Sequence, residues 1–253
     1  MDTNESQAFF EQLQMPARPL RRLDAYTLAD SPIDESSLIP EAGIQGNRLV
    51  AFTSGLDKQY KEAVKFSVQI AQSAANAKFD QLQQRLEWYA EYNKVLRHTG
   101  WLSSDNKLTE YNNADLEITM ESVAFELIKL AAGPNAAVLA ELADLAITSL
   151  KGDTELTQKL QAASTSGRSG SFDIMPCLQV GDDIVMYDHA MRFEHSRSSG
   201  GFWFWSWKVN DVSLQHVANE RTLNFTHYLS VEQSIKDKLG SHSNAFFDNL
   251  DLG

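Results

Sequence analysis

The chain has 253 residues, of which 34 are acidic, 22 basic and one is cysteine, for a net charge of −12. A single cysteine excludes an intramolecular disulfide framework and any multi-cysteine zinc or iron–sulfur site. The acidic balance excludes the basic footprint of a nucleic-acid binder, and 43% hydrophobic with 22% charged residues excludes a disordered or collagen-like chain.

No apolar run approaches the ~20 residues of a membrane span. Met1–Gln14 lacks a basic stretch followed by an apolar one, so no secretory signal is read there. The expectation is a protein made and folded in a cytoplasm, with export by a route that reads no N-terminal signal left open.

Residues 1–47 read as an extended arm, because Pro16, Pro19, Pro32 and Pro40 crowd into it and forbid long helices. Ala8, Phe9, Phe10 and Leu13 fit one short amphipathic helix inside it. A single α+β domain is expected over 48–253, with helices in 54–165, a β-meander in 171–230 and a closing helix over 231–240. Leu56, Tyr60, Ala63, Val64, Ala71, Ala74 and Ala75 form a helical stripe, with Ser54 as a candidate N-cap. Asp80 with Gln83 fits a capping-box variant, which predicts a second helix from there to about His98, stopped by Gly100. A short strand is read around Lys107–Tyr111. Three more helices follow: 118–131, broken by Gly133-Pro134; 135–150, apolar on much of its circumference and hence central; and 153–163, capped by Asp153.

Residues 164–171 read as a flexible connector. The period then becomes two. Phe172, Ile174, Leu178 and Val180 alternate with polar positions, and Gly181-Asp182-Asp183 forms a hairpin turn. Val185, Tyr187, Met191 and Phe193 line a second strand, residues 202–209 a third, and Leu223, Phe225 and Leu229 a last one. The helix from Val231 ends at Gly240. Helices first and strands after them give an α+β fold: about five helices packed on an antiparallel meander of about four strands.

Chemistry is sparse. The chain holds no G-x-S-x-G, Walker, G-x-G-x-x-G or H-E-x-x-H pattern. His189 and His195 share a strand face but lie on the order of 20 Å apart along it, too far to share a metal, and Glu194 faces the other way. Trp203, Trp205 and Trp207 alternate on one side of their strand, as core, as the lining of an apolar cavity, or as a contact patch. Alternation puts Cys177 on one face with Met175 and Gln179, opposite Phe172, Ile174 and Leu178, unless Pro176 bulges the strand. Cys177 is then a small core residue, or a nucleophile served by His189 or His195.

Three blocks, "SVQIAQSAANAKFD" (67–80), "WYAEYNKVLRHTGW" (88–101) and the terminal "VEQSIKDKLG", together resemble a bacterial family related to the insect-gut virulence factor Evf. The middle block carries Trp88, Tyr89, Tyr92, Val95, Leu96, Gly100 and Trp101. The resemblance covers about 50–240. It implies a virulence-type, host-interaction protein without catalytic machinery, acting on a host protein, a lipid or a membrane surface. It also implies a palmitate-like fatty acyl chain on Cys177, as the one covalent group expected. The alanine-rich runs 67–77 and 135–146 leave room for a tunnel around such a chain. The competing readings are a thiol-dependent hydrolase or acyltransferase at Cys177, and a toxin inserting the helices of 118–150 into membranes.

Overall fold

The computed structural model describes residues 2–16, 40–103, 109–110, 117–166, 168–195, 207–208, 212–240 and 248–250. In chain order the elements are α1 (Thr3–Gln12), β1 (Glu41–Gln45), β2 (Arg48–Phe52), α2 (Lys58–Lys78), α3 (Arg85–His98), β3 (Trp101–Ser103), β4 (Thr109–Glu110), β5 (Glu117–Ile118) and α4 (Met120–Ala131). After a 3-10 turn at Gly133–Asn135 come α5 (Ala136–Gly152), α6 (Thr154–Ser164), β6 (Thr165–Ser166), β7 (Ser169–Val180), β8 (Asp183–His195), β9 (Trp207–Lys208), β10 (Val212–Leu223), α7 (Phe225–Leu239) and β11 (Asp248–Leu250). The class is α+β, as the segregation of periods predicts. The chain divides into two compact units, both discontinuous in sequence. One holds Met1–Ser37, Leu56–Leu102 and Thr222–Phe247; the other holds Leu38–Gly55, Ser103–Arg221 and Asp248–Gly253.

The first unit is helical. In it α2 pairs with α3, and α7 packs on both α1 and α2. The aromatic block of the sequence makes its core. Trp88, Tyr92, Val95, Leu96 and Trp101 are fully buried, with the Trp88 and Tyr92 rings stacked at 5.2 Å. The Trp88 indole donates to Asn76 Oδ1 of α2 at 2.7 Å, so the two helices are joined by a bond as well as by apolar area. Two helix starts differ from expectation. Gly55, at φ +81°, turns the chain after Ser54, and α2 begins only past Asp57. Asp80 does accept from the Leu82 and Gln83 backbone amides, but it caps a turn, and α3 starts at Arg85. Of the last strand expected over 222–229, Thr222 and Leu223 are strand, ending β10, and Phe225 onward is the start of α7. Asn224 Oδ1 accepts from the His227 amide at 3.0 Å, a side-chain N-cap that commits the following residues to helix. The short helix expected near Phe10 is α1, and Lys238 of α7 donates to its last carbonyls, those of Glu11 and Leu13.

Gly100 ends α3 at φ +104°. An added Cβ would stand 2.9 Å from the Asn224 carbonyl oxygen, while the Asn224 amide donates to Gly100 O at 2.9 Å. Both partners are backbone and cannot step aside. Gly100→Ala is therefore expected to cost about 1–3 kcal/mol, read as a lower urea midpoint at unchanged m-value; an unchanged midpoint would show that this junction relaxes freely.

The second unit is a sheet with a helical layer. Its strands run in the order β11-β1-β2-β7-β8-β10, with β6 on β7 and β4 on β10. The sheet is mixed, not a pure antiparallel meander: β2 pairs parallel with β7, Arg48 beside Asp173 through Phe52 beside Cys177. The β1–β2 hairpin lies where the arm was read up to residue 47, and Gly46 at φ +63° makes its tight turn. The stretch 164–171, read as a connector, is largely strand. Thr165 and Ser166 fold back on Gly170 and Ser169, and Gly170 is buried between the Phe193 ring and the Ser164 carbonyl, a space that admits no Cβ. Gly181 and Asp182 form the predicted turn between β7 and β8. The third strand expected over 202–209 is described only at β9, which pairs with β5 in a separate two-stranded sheet.

Pairing fixes which side chains share a face. On one face Ala42, Ile44, Leu49, Ala51, Phe172, Ile174, Leu178, Val185, Tyr187, Met191, Phe193 and Leu214 pack with α4, α5 and α6 into one apolar core. Thr119 and Ser122 cap α4 reciprocally, and Asp153 Oδ1 caps α6 through the Leu156 amide at 2.9 Å. The central position expected for 135–150 is that of α5, whose Leu139, Ala143, Ala146, Ile147 and Leu150 are all buried in this core.

Candidate functional site

Cys177 lies at the centre of the sheet, on the face opposite that helical layer. Register is the same on either side of Pro176, with Ile174 opposite His189 and Cys177 opposite Met186, so the proline inserts no extra residue. Cys177 therefore keeps the face expected from alternation, shared with Val50, Phe52, Met175 and Met186, all fully buried. Its carbonyl accepts from the Thr53 amide at 3.0 Å, and its thiol rests against the Met175 carbonyl at 3.5 Å.

The same face carries charge. Arg48 Nη2 meets Asp173 Oδ2 at 2.8 Å, and the Arg221 guanidinium holds Asp188 Oδ2 through Nε at 3.1 Å and Nη2 at 2.9 Å. All four side chains are essentially solvent-free. Asn47 knots this region: its amide donates to Ser171 Oγ at 2.7 Å and to Ser171 O at 3.2 Å, while its oxygen accepts from Arg48 Nη1. Buried pairs of this kind are compensated charges, not reservoirs of stability.

Burial pushes the Cys177 thiol far above its ordinary range, and the Asp188 carboxylate adds to the effect. The thiol is held protonated, the opposite of a prepared nucleophile. Of the two imidazoles considered as bases, His189 does not meet it. His189 points to the other side of β8, with Tyr187 and Met191, and its ring stacks on Tyr187 at 6.4 Å between centroids. Burial lowers His189 to about 4, partly offset by Asp188. His195 ends β8, and its side chain lies outside the described residues. Among the described residues no cluster of His, Cys, Asp or Glu is arranged to hold a metal ion.

Of the three tryptophans, Trp203 and Trp205 lie outside the described residues, and Trp207 is placed only by its backbone, opposite Ile118. The alanines of 135–146 do not line a tunnel at Cys177, because α5 packs on the other face of the sheet. Among the described residues no helix is long and apolar enough to cross a membrane. Sequence reasoning missed Arg48, Asp173, Asp188 and Arg221. A charged residue in an otherwise apolar strand, as in "RLVAF" and "FDIM", was the available signal.

No family model matches the chain, and no curated protein matches it. Solved structures with distant similarity include the following two. A delta-endotoxin aligns over 71% of this chain and 84% of its own, at 14% identity and a TM-score of 0.41. The Evf virulence factor aligns over 81% of this chain and 83% of its own, at 13% identity and a TM-score of 0.33. At such scores neither likeness carries a function across. The aromatic block behind the resemblance to Evf is explained here as the core of the helical unit.

Proposed function

We propose that the chain is a non-enzymatic bacterial protein of virulence type, acting on a host protein, a lipid or a membrane surface, with a palmitate-like chain carried on Cys177. The observation that supports the non-enzymatic part is the placement of the one thiol. It is buried, held neutral, and separated by the sheet from His189, so no thiol–imidazole pair is assembled among the described residues. The acyl part is supported by the sequence resemblance and by the apolar neighbours Val50, Phe52, Met175 and Met186, since each buried methylene contributes about 0.8 kcal/mol. A closed, protonated thiol is a poor acceptor, so transfer belongs before β7 is covered. Sulfur attacks the carbonyl of an acyl-thioester donor, the new S–C bond forms, and the donor thiolate leaves with the proton.

Intact mass measurement of protein purified from its native source tests the acyl part. The expected result is an added fatty acyl mass that hydroxylamine removes and Cys177→Ser abolishes; an unmodified mass overturns it. A thiol probe tests the rest. Unacylated protein is expected to label only on unfolding and acylated protein only after hydroxylamine as well, and rapid labelling in the folded state would contradict the non-enzymatic reading.

A further inference from the structure

We infer that His189 is the trigger of an acid-sensitive latch: a proton gained on its ring puts an unpaired charge between the sheet and its helical layer, and α4–α6 loosen from the strands. His189 is fully buried on the strand face that packs against α4 and α5, and among the described residues neither ring nitrogen has a hydrogen-bond partner. Its surroundings offer a cation little. On β7 the residue opposite is Ile174. The adjacent Asp188 turns to the other face and is engaged by Arg221 of β10. Asp173 of β7 faces the same way as Asp188 and is engaged by Arg48 of β2. Asp188 attracts a charge on His189 by less than burial opposes it, and His216 of β10 repels one. Glu126 of α4 acts on His216, and α5 presents Leu139, Leu142, Ala143, Ala146 and Ile147. A buried charge without a partner is among the most destabilising single events in a core.

The direction follows from linkage. In a loosened state the ring protonates near its ordinary 6.5, and in the closed state only near 4. The contribution of neutral His189 to closure is therefore fully present above pH 6.5 and is lost as the pH falls from there towards 4. The loosened-to-closed ratio rises at most about tenfold per pH unit over that window and levels off below it. His216, half-buried and also lowered by burial, adds in the same direction.

The experiment follows near-UV circular dichroism and dye binding to exposed apolar surface from pH 7.5 to 3.5. It compares the wild-type chain with His189→Phe and His189→Leu, alongside an NMR titration of the wild-type histidine rings. The expected result is a wild-type transition that moves to lower pH by about half a unit or more in whichever variants fold, and a His189 ring that titrates well below 6.5. A folded variant with an unshifted midpoint, or a His189 ring titrating at its ordinary value in the closed protein, overturns the latch. The NMR result stands even if both variants fail to fold.

Discussion

Arg221→Met is expected to lower the free energy of unfolding by about 3–5 kcal/mol, because it takes two charged donors from the Asp188 carboxylate in a solvent-free interior. Arg221 supplies two donors to one carboxylate oxygen, and methionine fills much of the same volume while supplying none. The loss belongs to the abandoned partner more than to the broken contact. Removing both charges therefore separates the two contributions. Arg221→Met combined with Asp188→Leu is expected to recover most of the single variant's loss, since no uncompensated charge remains. Urea titrations of the two single variants and the double variant check this as a cycle. A single variant with the wild-type midpoint would mean that water or another group satisfies Asp188 in the folded state.

Phe172→Ala carries the other large effect, about 3–5 kcal/mol. Phe172 is fully buried in β7, pairs with Met191, and belongs to the core shared by the sheet and α4–α6. Deleting the ring removes its transfer energy and leaves a cavity between elements that are each held by pairing or capping, so collapse recovers little. Leu178, nearer the open end of the same strand and 7% exposed, is expected to cost less as alanine because its site can relax or hydrate. The same urea series checks the order, and equal losses at the two positions would indicate a uniformly pliable core.

Much of the helical architecture was legible because its signals are local. Asp153 caps α6 and Gly100 and Gly240 end their helices where a capping residue and a left-handed position require it. The β7–β8 hairpin was legible because Gly181-Asp182 sits between alternating runs. The β1–β2 hairpin was not, although Gly46-Asn47 between Ile44 and Leu49 is the same kind of signal, because the prolines before it dominated the reading of 1–47. Asn224 was misread for a similar reason: Leu223, Phe225 and Leu229 alternate well enough to mimic a strand, and only the cap distinguishes the two. The parallel β2–β7 pairing had no local signature at all. The site was half legible: which face Cys177 takes followed from alternation and charges in apolar strands marked Arg48 and Asp173, but which charges pair depends on strands brought together only by the fold.

That parallel pairing has a consequence for biosynthesis. β2 pairs locally with β1 but cannot find its parallel neighbour β7 until more than a hundred further residues have emerged, the helical unit waits for α7, and β1 meets β11 last. Neither unit closes on an early stretch of nascent chain, so the apolar strand "RLVAF" lacks its second neighbour through most of translation. Such a chain is expected to depend on holding factors at the ribosome until β7 has emerged to pair with β2.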